Sequence, residues 1–313
     1  MARARGSNAL LSGAFETTPG VAPGSGFYRM PLVSHSMGEE RPLIPSDLLG
    51  QGREPQDPTP DVATNVGDIV VPVDVRNFWL WLKLFFGPPT SAAGTGGEIV
   101  HTFTSGAQSL PSMSFEVGAP EVPAYSTHFG ARGNTLKIGL SRSGLLNATC
   151  GLIAIGESTP VGASVAGSPI QLATLRFPQA TGSVKKDGAV LGSVVAAEFT
   201  FSNNLEAVET IKTDGRIEDS DPGMVMMSGS VTVRFKDTTL LAAATAGTPC
   251  ELDFGWVTGL HGLVFQVPRV FLPLAKRPIS GPNGIQVVFN WQASGAGGAS
   301  VTAVLTNDKA TYA

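Results

Sequence analysis

The chain has 313 residues, 42% hydrophobic and only 15% charged, with 38 Gly and 23 Pro; charge this sparse, against roughly 25% in an average soluble domain, leaves β-rich domains with surface to bury. A net charge of −4 excludes a binder held to nucleic acid by clustered Lys and Arg. Cys150 and Cys250, one in each half, fit neither a metal knuckle nor a disulfide-stapled secreted scaffold and read as small buried thiols.

Residues 1–26 are rich in Gly, Ala, Ser and Pro without a period, so a flexible arm is expected there. The apolar patch behind Arg3 and Arg5 is broken by Ser12 and Gly13, too short for a secretory signal. No run approaches the ~18 to 20 apolar residues of a membrane span, and the reading is a soluble protein made in a cytoplasm. Residues 27–33 offer a first strand. Residues 38–65 carry Pro42, Pro45, Pro55, Pro58 and Pro60 among six acids, a long loop of the kind that is functional or disordered.

The most informative stretch is GDIVVPVDVRNFWLWLKLFFG, residues 67–87. Val and Ile at 69–73 favour a strand. Asp74 stands where a helix N-cap belongs, and residues 76–86 form the helix it caps. Arg76 and Lys83 fall on one stripe, so Phe78, Trp79, Trp81, Leu82 and Phe85 must be covered by packing or an interface. Gly87-Pro88-Pro89 ends the unit.

A Gly-rich linker is expected at 90–97, then strands at 98–103, 112–117, 136–140 and 149–155, several with the alternation of a half-buried sheet. Small and polar residues at 157–170 read as an inter-domain connection. Strands follow at 172–177, 194–201, 251–257, 263–272, 285–291 and 301–305, with an acidic loop at 206–221.

The unit at 67–87 recurs at 229–247, GSVTVRFKDTTLLAAATAG: a strand, Asp237 as cap, and a short helix carrying Leu240 and Leu241. Gly52-Arg53 is echoed by Gly215-Arg216, and both echoes lie about 160 residues apart. GNTLKIGL at 133–140 is matched to PNGIQVVF at 282–289 at a shorter offset. A period this long is a domain duplication rather than a short repeat. The expected fold is mainly β: two tandem antiparallel sandwiches or barrels, residues 27–156 and 171–313, each with one short helix.

Catalytic signatures are missing. The four histidines are scattered, with no i,i+4 pair for a metal, no nucleophile elbow, and no phosphate loop. The acids at 206–221 lack the spacing of a calcium loop. The chain reads as a non-enzyme without cofactor or metal.

In order, the apolar arm, the Pro/acidic loop, GDIVVPVDVRNFWLWLKLFFG, EIVHTF, LPSMSFEVG and GNTLKIGLSRSG resemble the major tail tube proteins of long-tailed bacteriophages. FTFSNNLEAVE, DGRIED, SGSVTVRFKD, GPNGIQVVFNWQAS and VLTND look like a second copy in a longer version of that family. The resemblance implies a virion structural protein assembled in the host cytoplasm. Its rings would stack into a hollow tube, alongside tail terminator, tape measure and baseplate or distal tail proteins, with double-stranded DNA passing through without specific binding. Two sandwiches per chain point to a ring of three copies rather than six. On that reading Phe15, Arg53, Asp57, Arg216 and Asp219 are candidate contacts between rings, and the lumen is acidic. The alternative is a two-domain β-sandwich that binds carbohydrate or a cell surface, which would need exposed aromatic platforms and an export signal.

Overall fold

The computed structural model describes residues 3–279 and 281–312; the first two residues of the expected arm, residue 280 and the last residue lie outside it. In the first half the longer elements are β1 (Leu10–Phe15), β2 (Tyr28–Met30), β3 (Thr64–Pro72), α1 (Trp79–Phe86), β4 (Thr90–Ala93), β5 (Ile99–Thr104), β6 (Met113–Ala119), β7 (Ala124–Ser141) and β8 (Asn147–Ala154). The second half holds β9 (Ser183–Lys186), β10 (Val194–Ser202), β11 (Met226–Arg234), α2 (Thr239–Ala246), β12 (Cys250–Thr258), β13 (His261–Phe271), β14 (Gln286–Ala293) and β15 (Thr302–Asn307).

One inner sheet runs through both halves. Its order is β3, β8, the C-terminal part of β7, β10, β11 and β14, all antiparallel. The short strands Ser34–His35 and Glu39–Glu40 flank β3. Period-2 alternation gives this sheet two distinct faces. Ile69, Val71, Leu136, Ile138, Phe199, Phe201, Val231 and Phe289 point to a common core.

Behind each half lies an outer sheet. In the first half it runs β2, β1, β6 and the N-terminal part of β7; in the second it runs β9, β12, β13, β15, β5 and β4. Two long strands pass from outer to inner sheet. β7 turns near Gly130, at φ +66°, and bulges at Gly133, where a Cβ would lie 2.7 Å from the Phe85 ring. β13 does the same in the second half, leaving β12 and β15 to meet β14 at Val270 and Phe271.

The two halves repeat one order of pairings. β1, β6, β7 and β8 correspond to β9, β12, β13 and β14, and β3 to β11. The flank of β3 corresponds to β10. This corrects the expected match of 133–140 with 282–289: the counterpart of β14 is β8, not β7. The offset shortens because the β4–β5 hairpin has no counterpart after α2; β5 falls on the strand expected at 98–103, whereas β4 lies in the expected linker at 90–97. That hairpin pairs with β15 across the molecule.

The arm and the linker also differ from expectation. Residues 10–15 are not a free arm but a strand between β6 and β2, with Leu11 and Ala14 buried. Residues 157–170 run bound along the first half: Val161 bridges Tyr125, Glu116 accepts from the Ser164 hydroxyl and the Val165 and Ala166 amides, and Ile170 joins β2 in parallel. Residues 172–177 form no strand, though Phe177 and Val75 exchange backbone hydrogen bonds with the opposite segment. The two halves therefore share one sheet and one core.

Candidate functional site

The first helix is the joint between the halves. Asp74 accepts from the Asn77 amide at 2.9 Å and its side-chain amide at 2.6 Å, which fixes the turn that leads into α1 three residues later than the sequence suggested. Burial pushes the Asp74 carboxyl up, against the Asn77 donors. Every residue of α1 except Lys83 is buried. Trp79 meets Phe15 and Tyr28 from the first half, and Trp81 stacks on Phe115 at 5.4 Å. From the second half Phe201 packs 4.5 Å from Phe86 and 6.5 Å from Phe85. Asn203 donates to the carbonyls of Phe85 and Gly133. Phe78 and Leu82 are fully buried too. Arg76 forms a bidentate pair with Asp308 at 2.8–3.2 Å.

The second helix is different. Asp237 accepts from the Thr239 amide at 3.0 Å, but only Leu240 and Ala244 are buried and Leu241 is half-covered. Ala243 packs against the core, while Ala242 and Ala246 stand exposed.

The seam between the halves is a seven-pair ladder, Thr135↔Ser202 to Ser141↔Ala196, with Lys137 3.4 Å from Glu198 on its exposed side. Above it the loop between β10 and β11 folds back onto the first half. Arg132, almost fully buried, pairs with Asp219 at 2.7 Å. Arg216 pairs with Glu39 at 2.7 Å, donates to the Glu157 carbonyl, and lies 5.3 Å over the Phe129 ring. Burial would raise the Glu39 carboxyl, but Arg216 and the Glu157 amide outweigh it and hold it below its ordinary value. His128, against Asn65 and 3.9 Å from Glu157, is kept below its ordinary value by burial.

These contacts bear on the candidate ring-to-ring residues. Phe15 lies beside Trp79 with Lys83 above its ring, and Arg216 and Asp219 clamp one half to the other. Their contacts are internal to the chain. Arg53 and Asp57 stand exposed on the loop before β3.

Both ends of the inner sheet are open. At one end the flank of β3 presents only two short strands, beside exposed Val33, Val62 and Val66. At the other, residues 273–278 run beside β14 without pairing, leaving a groove walled by Leu274, Ala275, Gln286, Val288 and Asn290. Leu274 and Ile279 are 71% and 75% exposed there. Unpaired sheet ends with apolar side chains are sites for pairing with another chain.

The wet face of the inner sheet is mostly small and polar, with exposed Val66, Met226 and Val288 among its side chains. Thr149, Thr135, Thr200, Ser228, Ser230, Thr232, Asn290 and Gln292 stand on it, all in register across the strands. Its charges are Asp68, Lys137, Glu198 and Arg234, two of each sign. Among the described residues no cluster of three metal-ligating side chains occurs, and no helix is long and apolar enough to cross a membrane.

The chain is mainly β, with one continuous sheet open at both ends and a buried helix at its joint. A family model described as phage tail tube protein matches residues 6–293. The chain belongs to the phage tail tube protein family, a structural component of the virion tail that self-assembles into a tube. No curated protein matches it.

Sequence reasoning found α1 and the Gly-Arg echo, but Asp74 and Asp237 are not the N-caps: those positions are Phe78 and Thr238, neither with a side-chain cap bond, and the two aspartates bind the turns just before the helices. It missed Glu39, Arg132 and Glu157 as the partners that hold the halves together. Arg132 lies ahead of the strand read at 136–140, in a stretch without apolar alternation, so the sequence carried no signal that it would be buried and need a partner.

Proposed function

We propose that three copies join head to tail into a ring, that their inner sheets form one closed barrel, and that stacked rings make the tube through which DNA leaves the particle. The observation that carries this reading is the seam: within one chain, β10 pairs with the C-terminal part of β7. The open ends are the counterparts of those same two edges, the flank of β3 for β10 and residues 272–279 for β7. A contact already made once inside the chain is then repeated between copies, as a head-to-tail ring requires.

Three copies supply six half-units. The rival, six copies with the second half decorating the outside, is disfavoured because β10, β11 and β14 continue the same sheet with the same polar face. That face would line the channel. Its balanced, sparse charge suits passage without retention, since each phosphate-neutralising Lys or Arg adds salt-dependent affinity for DNA; the acidic wall expected earlier is not needed. Tail terminator, tape measure and distal tail proteins would meet the tube at its ends and lumen. Cross-sections of tubes of the purified protein, imaged by electron microscopy, test the reading: threefold symmetry with six similar inner lobes is expected, and sixfold symmetry with outer lobes would overturn it.

A further inference from the structure

The loop before β3, residues 41–63, and the loop before β11, residues 203–225, occupy the same place in the two halves. The second is docked. Gly215, at φ +68°, accepts from the Ala63 amide at 2.8 Å. Arg216 then lies over Gly156, with its Nε 2.5 Å from where a Cβ would stand. A side chain at Gly156 would displace the clamp.

Following the strand correspondences, Ala63 becomes Val225, Gly156 becomes Gly295, and Arg132 becomes Phe271. All three counterparts line one groove of about 760 Å³, together with Met224, Ser294 and Gln292. Met224 is 87% exposed and Phe271 is 37% exposed. The groove is the site that Gly215 and Arg216 fill in the first half, left empty in the second.

The matching occupant is in the sequence. Gly52-Arg53 repeats Gly215-Arg216, Gly52 has a positive φ of +91° as Gly215 does, and the loop tip just before it presents Leu48 and Leu49, 65% and 92% exposed. This loop leaves one end of the inner sheet and the groove lies at the other, so the occupant comes from a second copy.

We propose that residues 48–54 of one copy dock in the groove of its neighbour within the same ring, with Gly52-Arg53 in the place of Gly215-Arg216 and Leu48 and Leu49 over Met224 and Phe271. This rests on the ring reading above, and it assigns Arg53 to the contact within a ring rather than between rings. The chemistry of the two sites differs in one respect. Arg216 meets the carboxylate of Glu39, whereas the groove offers Arg53 the amide oxygens of Gln292, Asn203 and Gln108. Hydrogen bonds between a charge and neutral acceptors are weaker than an ion pair with a carboxylate, which suits a contact that must form between free copies.

Two variants of the full chain test it. Arg53→Cys with Ser294→Cys, assembled and oxidised, should give covalent dimers and trimers on a non-reducing denaturing gel, while each single variant stays monomeric; Cys150 and Cys250 are buried and do not contribute. Normal rings that yield only monomer bands, or a ladder extending past the ring size, would overturn the placement. Replacing residues 46–57 by a Gly-Ser segment should leave a folded chain by circular dichroism that no longer closes rings. Rings that close but fail to stack would return the loop to a role between rings. A parent chain that forms no rings in the same assay overturns the ring reading itself.

Discussion

Trp79 and Tyr312 stack face to face, their rings 4.2 Å apart and 16° from parallel, so the helix of the first half is sealed by the end of the chain. Asn307 ties the same corner, donating to the Val75 carbonyl at 2.7 Å and to the Tyr312 hydroxyl. Burial pushes the Tyr312 phenol up, which keeps it protonated. The joint is therefore built from residues more than two hundred positions apart in sequence.

Removing the indole should be costly. Trp79→Ala vacates a fully buried site and is expected to lose about 3–5 kcal/mol, as Phe or Trp to Ala does in a packed core; Trp81→Ala, against Phe115, should fall in the same range. Tyr312→Ala should cost less, and the double variant less than the sum, because the two rings share one contact. Urea unfolding measures all three. Variants that unfold like the parent would mean that the helix is not a packing element.

Deletion of residues up to 20 removes β1 and with it the strand between β6 and β2. The expected outcome is loss of folding and solubility, not folded subunits that merely fail to stack. A soluble, cooperatively unfolding deletion would contradict the role of β1 in the outer sheet.

Acid should weaken the fold in two steps. His101 and His128 are held below their ordinary 6.5 by burial, so the unfolded chain binds protons more readily than the folded one. The stability this gives is complete above pH 6.5 and is lost as pH falls through the depressed folded values. Glu39, below its ordinary 4.5 beside Arg216, and Asp308, below 3.8 beside Arg76, add a second loss in the more acidic range. Arg216→Gln should flatten part of that second step. Asp74, raised by burial, works the other way as it protonates; thermal melts between pH 3 and 8 check the two losses, and a net gain in stability on acidification would contradict the assignment.

The polar face of the inner sheet makes a prediction about passage. Thr149→Lys, Thr200→Lys and Ser230→Lys change exposed or half-exposed positions facing away from the core, so assembly should survive. On the proposed channel wall they add phosphate-binding charge and should slow or trap DNA release from particles, the more so at low salt. Unchanged release would remove this face from the channel.

Much of the core was legible because its signals are local. Alternation at Val231, Val233 and Phe235, or at Leu136, Ile138 and Leu140, fixes a strand and its buried face without knowledge of the neighbours. Asp74 and Asp237 announce their turns by position alone. β1 was hidden by Ser12 and Gly13, which read as interruptions. Gly13 is in fact required by close packing, since a Cβ there would lie 2.6 Å from the Met30 sulfur and 2.9 Å from that of Met113. β4 and β9, with small or charged residues, and the first half of β7, with His128 and Arg132, carry little apolar alternation; their places depend on partners far along the chain. The clamp at Glu39, Glu157 and Arg216 depends on tertiary contact and has no local signature beyond the Gly-Arg echo.

Native mass spectrometry of a single ring released from the tube tests the central claim most directly. On the proposed reading, in which the sheet ends repeat the seam between β7 and β10 and six half-units close the barrel, each ring holds three 32.4 kDa chains. A mass corresponding to six chains would contradict it.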